Sequence, residues 1–216
     1  MNIGHIRVLD HEVISRRARR KERTRRALLD VALAYFARRG IYGTRIEDIT
    51  DQADLGKGAF YNYFDSKDDL VATLLAEAVE ILDRDYLSRA APSAGLAERV
   101  RSLATEHERF FETHRDYPVL FHQARGLLML DSSSASRLRL VMRDYLARLE
   151  RKLSPASEAS AASGTALYLD AAAAFAGVIT GYRSHALAAA LPVESKTVVA
   201  VASFGLVGLL EKRALP

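Results

Sequence analysis

The sequence contains no cysteine. That excludes a disulfide framework and any thiolate metal centre, and it fits a reducing, cytoplasmic setting, the localisation expected. Long hydrophobic runs are missing too. The stretch TVVAVASFGLVGLL (197–210) falls short of the roughly 20 apolar residues a bilayer demands. The Ala-rich stretch from Ala161 to Ile179 is interrupted by Asp170. MNIGHIRVLDHEVISRRARR at the start holds no continuous apolar segment, so neither a signal peptide nor a membrane span is expected. Strand signals are scarce and no internal repeat is visible. No nucleophile stands with a base and an orienting group, so no catalytic residue and no cofactor is expected. His107, His114 and His122 recur at seven and eight residues but lack an acidic partner at tight helical spacing. They read as core or ligand-contacting histidines, and no metal is expected.

Charge, by contrast, is abundant and unevenly placed. Residues 1–67 carry 14 Lys/Arg against 9 Asp/Glu, whereas residues 68–216 are nearly balanced. The surplus concentrates in RRARRKERTRR (16–26). Like-charge blocks of this kind are often unfolded interaction arms whose natural partner is a polyanion, so residues 1–20 are expected to be a disordered basic arm.

Helical spacing fills the remainder. Leu28, Val31, Ala32, Tyr35 and Phe36 repeat at three to four residues, and Gly40 can supply the left-handed turn that ends this first helix. Thr44 followed by Glu47 has the spacing of a capping box and predicts a second helix to about Ala53. A third is expected over Lys57–Phe64. Ser66 with Asp69 repeats the box and predicts a long fourth helix, ended by APSAG (91–95). Further helices are expected at about 96–114, 117–129, 135–153, 160–190 and 194–213. Breaks fall at Pro118, DSSS (131–134), Pro155 and Pro192. The fold class is therefore all-α: a three-helix head over 21–67 and a larger helical body over 68–216, about nine helices in all.

The segment LGKGAFYNYFDSKDDL (55–70) carries the chemistry of the head. Two short helices separated by Asp54-Leu55-Gly56 have the form of a helix-turn-helix, which sets its second helix in the DNA major groove. Gly56 suits an N-cap outside helical geometry. Gly58, without a side chain, permits close approach to a sugar-phosphate wall. Phe60 and Phe64 lie four apart and should face inward, leaving Tyr61, Asn62 and Tyr63 on or beside the outer face. Gly40, Thr44, Ile49, Ala53, Leu55, Lys57-Gly58, Tyr61, Tyr63-Phe64, Ser66-Lys67 and Leu70 together resemble the DNA-binding head of the TetR family of bacterial transcription regulators. Asp54 stands where that pattern has a turn glycine, Gly56 where it has a serine cap, Thr50 where it has an alanine, and Arg45 where a second threonine often contacts phosphate.

The resemblance implies a ligand-responsive repressor that holds a palindromic operator as a homodimer and releases it when a small molecule enters the body. The DNA-binding set it suggests is Thr44, Arg45, Lys57, Gly58, Tyr61, Asn62, Tyr63 and Lys67, with Lys57 and Tyr61 on base edges. A family body must hold a ligand, and the inward stripes of helices five to eight offer His107, Phe111, His114, Phe121, Met142, Tyr145, Tyr168 and Phe175. Such a lining suits an apolar or aromatic effector, acyl compounds included. Arg125, flanked by Phe121, Leu127 and Leu128, either reaches solvent or meets an anionic group on the ligand. Small residues in AAAAFAGVITG (171–181) and at Gly205 allow close helix approach, so the last two helices are the expected dimer face. Two other readings remain open: a nucleic-acid-organising protein without a ligand, and an enzyme carrying a relic head.

Overall fold

The computed structural model describes residues 3–90, 95–129, 135–154 and 162–213. Among these residues every regular element is helical: α1 (Ile3–Arg39), α2 (Ile46–Gln52), α3 (Lys57–Phe60), α4 (Lys67–Ile81), α5 (Leu96–Thr113), α6 (Tyr117–Leu128), α7 (Ala135–Leu153), α8 (Ala162–Ala188) and α9 (Ser195–Arg213). The expected breaks at 91–95, 131–134 and Pro155 fall wholly or partly outside the described residues.

The first departure from expectation is at the start. The arm anticipated as unfolded is helical from Ile3 and continuous with the head's first helix, giving one helix of 37 residues. Arginine and lysine are good helix formers, and no proline interrupts them. Arg25 and Arg26, at the end of the basic run and inside the head, are anchored as well. Arg26 bridges Asp30 at 2.6 Å and Glu77 at 2.6 Å, and Arg25 lies 5.6 Å over the Phe64 ring. These contacts tie α1 to α4.

α1 ends as its sequence predicts. Arg38 and Arg39 occupy the last turn, and Gly40 takes φ +74°. Leu28, Leu29, Ala32 and Phe36 from α1 then meet Ile41, Ile49, Phe60 and Phe64 in the head's core. α2 starts one residue later than expected, with Arg45 rather than Thr44 at its N-cap. Asp48, not Glu47, reaches back, its Oδ2 accepting the Arg45 N–H at 2.9 Å. Thr44 is buried instead, and its hydroxyl donates to the Gly40 carbonyl at 2.8 Å. α3 is also shorter than predicted. It ends at Phe60, and the next three residues close as a turn in which the Tyr63 N–H reaches Phe60 O at 2.9 Å.

α4 joins head to body. Ser66 Oγ accepts the Asp69 N–H at 3.1 Å as its N-cap, and Leu70, Val71, Leu74, Leu75, Ala78 and Val79 are all buried. The helix stops at Ile81, earlier than predicted, and continues as a π turn (82–86) and a 3-10 turn (87–89). This places Tyr86 edge-on to Phe110 at 5.5 Å. In the body, α5 packs against α7, α8, α9 and the π turn, which buries it nearly all round from Leu103 to Phe111. α7 packs on α4 and α8, while α9 lies along α5 and α8. No described helix is long and apolar enough to cross a membrane.

Candidate nucleic-acid interface

The turn between α2 and α3 depends on a residue in the left-handed region. Asp54 holds it, at φ 55°, with the Leu55 N–H donating back to Thr50 O at 2.9 Å. Asp supports this conformation better than most residues, so the turn closes without the usual glycine. Gly56 then serves as N-cap of α3 in extended conformation. A Cβ added at Gly56 or Gly58 would meet no atom within 4 Å, and neither glycine has a positive φ. Nothing inside the chain requires glycine there. The space above both opens outward, where a wall of another molecule can approach.

The exposed rim of α3 carries three of the expected contacts: Lys57, Tyr61 and Asn62. Tyr61 is 53% exposed, its ring edge-on to Phe60 at 5.4 Å. Lys57 is paired with Glu47 of α2. That hydrogen bond holds the Lys57 ammonium above its ordinary value and the Glu47 carboxyl below its own. The pair is exposed on both sides, so salt and a competing polyanion weaken it readily. Arg45 is also exposed. Tyr63 is half-buried, with its body against the core.

Two expected DNA-contact residues are already committed within the chain. The Thr44 hydroxyl is used as described above, with its side chain fully buried. Lys67 donates to Ile41 O at 2.8 Å and Thr44 O at 3.0 Å, and burial lowers its pKa. It fastens the α1–α2 turn to the start of α4. Such a lysine positions the interface and leaves at most one ammonium hydrogen for a phosphate.

That same turn is held from the body side by a residue outside the candidate set. Gln123 of α6 accepts the Ile41 N–H through Oε1 at 2.5 Å. It lies so close over Gly40 that an added Cβ there would sit 2.7 Å from its amide nitrogen. Tyr42 crosses the same junction, its hydroxyl 3.0 Å from a Cβ built on Gly126.

The candidate ligand residues split into two groups. His107, Phe111, Phe121, Tyr145 and Phe175 form one buried knot, with the His107 ring 5.0 Å from Phe111, 5.9 Å from Tyr145 and 6.0 Å from Phe175. Phe121 closes it at 5.4 Å from Phe111 and 5.6 Å from Tyr145. His107 Nε2 and the Tyr145 hydroxyl are 2.6 Å apart, while His107 Nδ1 is buried without a hydrogen-bond partner. Burial pushes the His107 imidazole down to about 3 and the Tyr145 hydroxyl up. His114 leaves this group and instead joins Tyr86, Phe110 and Tyr117. Met142 and Tyr168 sit half-buried at the core's edge. Arg125 is half-buried beside His122, 3.4 Å from its Nδ1. The arginine that turns fully inward is a different one. Arg183 of α8 grips Glu108 of α5 bidentately at 3.0 and 2.6 Å, and its guanidinium lies 5.4 Å over Phe111. Its signal in the sequence was a single basic charge, far from Asp170, in an Ala-rich helix. Among the described residues no group of three or more His, Cys, Asp or Glu could hold a metal. A groove of about 1240 Å3 lies between α5 and α9, away from the ring knot.

A short helix-turn-helix whose rim faces outward, joined to a larger helical body, is an arrangement that can present α3 to a DNA groove. Residues 28–74 match the family "Bacterial regulatory proteins, tetR family". The HTH-type transcriptional repressor KstR2 of Rhodococcus jostii is 37% identical over 111 residues, covering 50% of this chain and 53% of that one. The regulator RutR of Escherichia coli is 30% identical over 106 residues, 48% of this chain and 47% of that one. The chain thus spans about half the length of the curated relatives it matches. In fold, a putative fatty acid metabolism regulator from Clostridium perfringens superposes with a TM-score of 0.62 at 18% identity, covering 83% of this chain and 96% of that one. FadR of Bacillus subtilis in complex with stearoyl-CoA gives 0.60 at 16%, covering 85% and 96%. Residues 28–74 thus form a TetR-family DNA-binding head, and the body beyond it shares the fold of such regulators.

Proposed function

We propose that this protein is a homodimeric repressor that reads an operator through α3 and leaves it when the body takes up a small, largely apolar molecule. The observation that carries the DNA reading is the open space over Gly56 and Gly58, rimmed by exposed Lys57, Tyr61 and Asn62. Lys57 and Tyr61 address base edges, while Arg45, Asn62 and Tyr63 hold the backbone beside them. Relatives named as transcriptional repressors support the sign of the regulation.

The ligand site is the ring knot of His107, Phe111, Phe121, Tyr145 and Phe175. Its lining is aromatic, and the unpartnered His107 Nδ1 supplies a polar point that a buried guest would satisfy. A solved neighbour in complex with stearoyl-CoA favours an acyl guest. α6 connects the two sites, since it sends Phe121 into the knot and Gln123 to the head's turn. A guest that displaces Phe121 shifts α6 and with it the spacing of the two heads, which lowers operator affinity by linkage. The dimer face is formed by α8 and α9.

The test is operator selection from random DNA with the purified chain, followed by binding of the selected site. Tyr61→Ala should weaken that site by about 1–3 kcal/mol and relax its sequence preference. Lys57→Ala should act in the same direction. If both variants bind the selected site like the wild type, α3 does not read DNA.

A further inference from the structure

The rim of the proposed reading surface holds an acid. Glu47 stands in the first turn of α2, where its spacing from Thr44 suggests a capping role. That task falls to Asp48, whose Oδ2 accepts the Arg45 N–H. Glu47 reaches across the helix-turn-helix instead and pairs with Lys57, ten residues on, in the first turn of α3. Arg45 adds to the positive field that holds its carboxyl below the ordinary value. Both basic neighbours of Glu47 are thus residues assigned to DNA above. A carboxylate between them cancels part of the charge that would attract phosphate. The Lys57 and Glu47 side chains are 58% and 47% exposed, and an ion pair so exposed adds little to stability. The fold gains little from this acid, and non-specific binding loses by it.

The hydrogen-bonding capacity of the pair matches one kind of base pair. An ammonium has three N–H donors, and one is spent on Glu47, which leaves two. The carboxylate accepts from Lys57 and from its own backbone N–H, and its remaining lone pairs can accept more. In the major groove a G·C pair presents guanine N7 and O6 as acceptors and then the cytosine N4 amino group as a donor. Two donors beside an acceptor are the complement of that edge. An A·T pair presents acceptor, donor, acceptor. There the ammonium would meet an amino group, and the carboxylate would meet a carbonyl oxygen. A phosphate can pull Lys57 away on any sequence, but it then leaves Glu47 unpaired in the phosphate field. The G·C edge engages both charges at once.

We propose that Lys57 and Glu47 enter the major groove as one unit and read a G·C base pair, Lys57 on guanine O6 and N7 and Glu47 on cytosine N4. Glu47 is then a specificity-determining residue of the interface. The inference rests on the reading of α3 given above and adds α2 to it. It also separates selectivity from affinity. The unit is neutral as a whole, so it gains little from phosphates on any sequence and much from the right base edge. Arg45, Asn62 and Tyr63 supply the general hold.

Base-by-base replacement in the selected operator, read by equilibrium binding of the full chain and its variants, tests this. The position whose preference Lys57→Ala removes should be a G·C pair, and its exchange for A·T should weaken the wild type about tenfold or more. Glu47→Ala, with an unchanged far-ultraviolet spectrum, should cut that preference to about threefold or less. The same variant should bind unrelated DNA several-fold more tightly at low salt, with a salt slope steeper by about 0.9. In the Lys57→Ala background, Glu47→Ala should again tighten binding to unrelated DNA yet restore no preference. If Lys57→Ala binds the selected site like the wild type, the α3 reading fails as a whole. If Lys57→Ala weakens that site while Glu47→Ala keeps the full G·C preference, or if the position prefers A·T, α3 reads DNA without Glu47 and the paired unit is overturned.

Discussion

The head and the body bury similar kinds of side chain but obey different constraints. In the head, the helix ends and the turn between α2 and α3 are set by residues close in sequence: Gly40 ends α1, Asp54 turns between α2 and α3, Gly56 and Ser66 cap the helices that follow. In the body, the decisive contacts join residues far apart. Glu108 meets Arg183, His107 meets Tyr145, and Gln123 reaches across to Ile41. Local chemistry builds the proposed reading surface, and long-range packing builds the proposed ligand site.

The sharpest way to break this contrast is at the Glu108–Arg183 pair, with side chains only 2% and 10% exposed. The guanidinium also reaches Ser195 Oγ at 3.3 Å, which in turn donates to Glu112 at 2.6 Å, so α5, α8 and the start of α9 are joined. Arg183→Ala should cost about 3–5 kcal/mol in urea unfolding, because it leaves a buried carboxylate without its partner. Replacing both, as Glu108→Leu with Arg183→Met, should cost far less. A single replacement with a cost under about 1 kcal/mol would show that the pair is not desolvated in solution.

The next effect is a pH dependence confined to the body. Burial lowers the His107 pKa from 6.5 to about 3, whereas the unfolded chain takes up that proton near its ordinary value. The depressed folded pKa means that stability is complete above about pH 6.5 and is lost as pH falls toward 3. The loss attributable to this residue approaches about 1.4 kcal/mol per pH unit. The other acids and histidines titrate in wild type and variant alike, so the difference between them isolates His107. His107→Phe should flatten the curve between pH 6.5 and 4. Parallel curves for the two proteins would place His107 in contact with water.

These residues also mark where the sequence was legible. Element type followed from spacing and punctuation, and most helix boundaries fell within a few residues of the reading. The head's errors were small shifts: α2 chose Arg45 with Asp48 over Thr44 with Glu47, and the Thr44 and Lys67 side chains turned to backbone carbonyls instead of outward. Burial of those carbonyls in a tight turn is a tertiary fact that a motif does not carry. In the body, five of the nine candidate ligand residues converge. His107 and His114 were placed on one stripe, yet seven residues along a helix of 3.6 per turn leave an offset of about 20°, and the neighbours of α5 differ at its two ends. No local rule distinguished Arg125, which stays half-buried near solvent, from Arg183, which goes inward. The partner that decides it, Glu108, is 75 residues away.

The smallest effect compares the same backbone device in both regions. Asp54 in the head and Ala190 in the body both hold positive φ, 55° and 52°. Each is followed by an N–H that reaches five residues back, Leu55 to Thr50 O at 2.9 Å and Leu191 to Ala186 O at 2.8 Å. A left-handed residue with a Cβ costs roughly 1–2 kcal/mol, and glycine removes that cost at about 0.5–1 kcal/mol of unfolded-state entropy. Ala190→Gly should therefore stabilise by up to about 1 kcal/mol, a rise of about 2–4 °C in Tm. Asp54→Gly should gain less, because a short polar side chain already tolerates this region. The two values also report on the interface. Asp54 stands in the turn that orients α3, so Asp54→Gly should leave stability nearly unchanged yet alter operator affinity. Ala190→Gly should alter stability alone. A gain at Asp54 equal to that at Ala190, with operator binding untouched, would mean that the head's turn is tuned for folding and not for DNA.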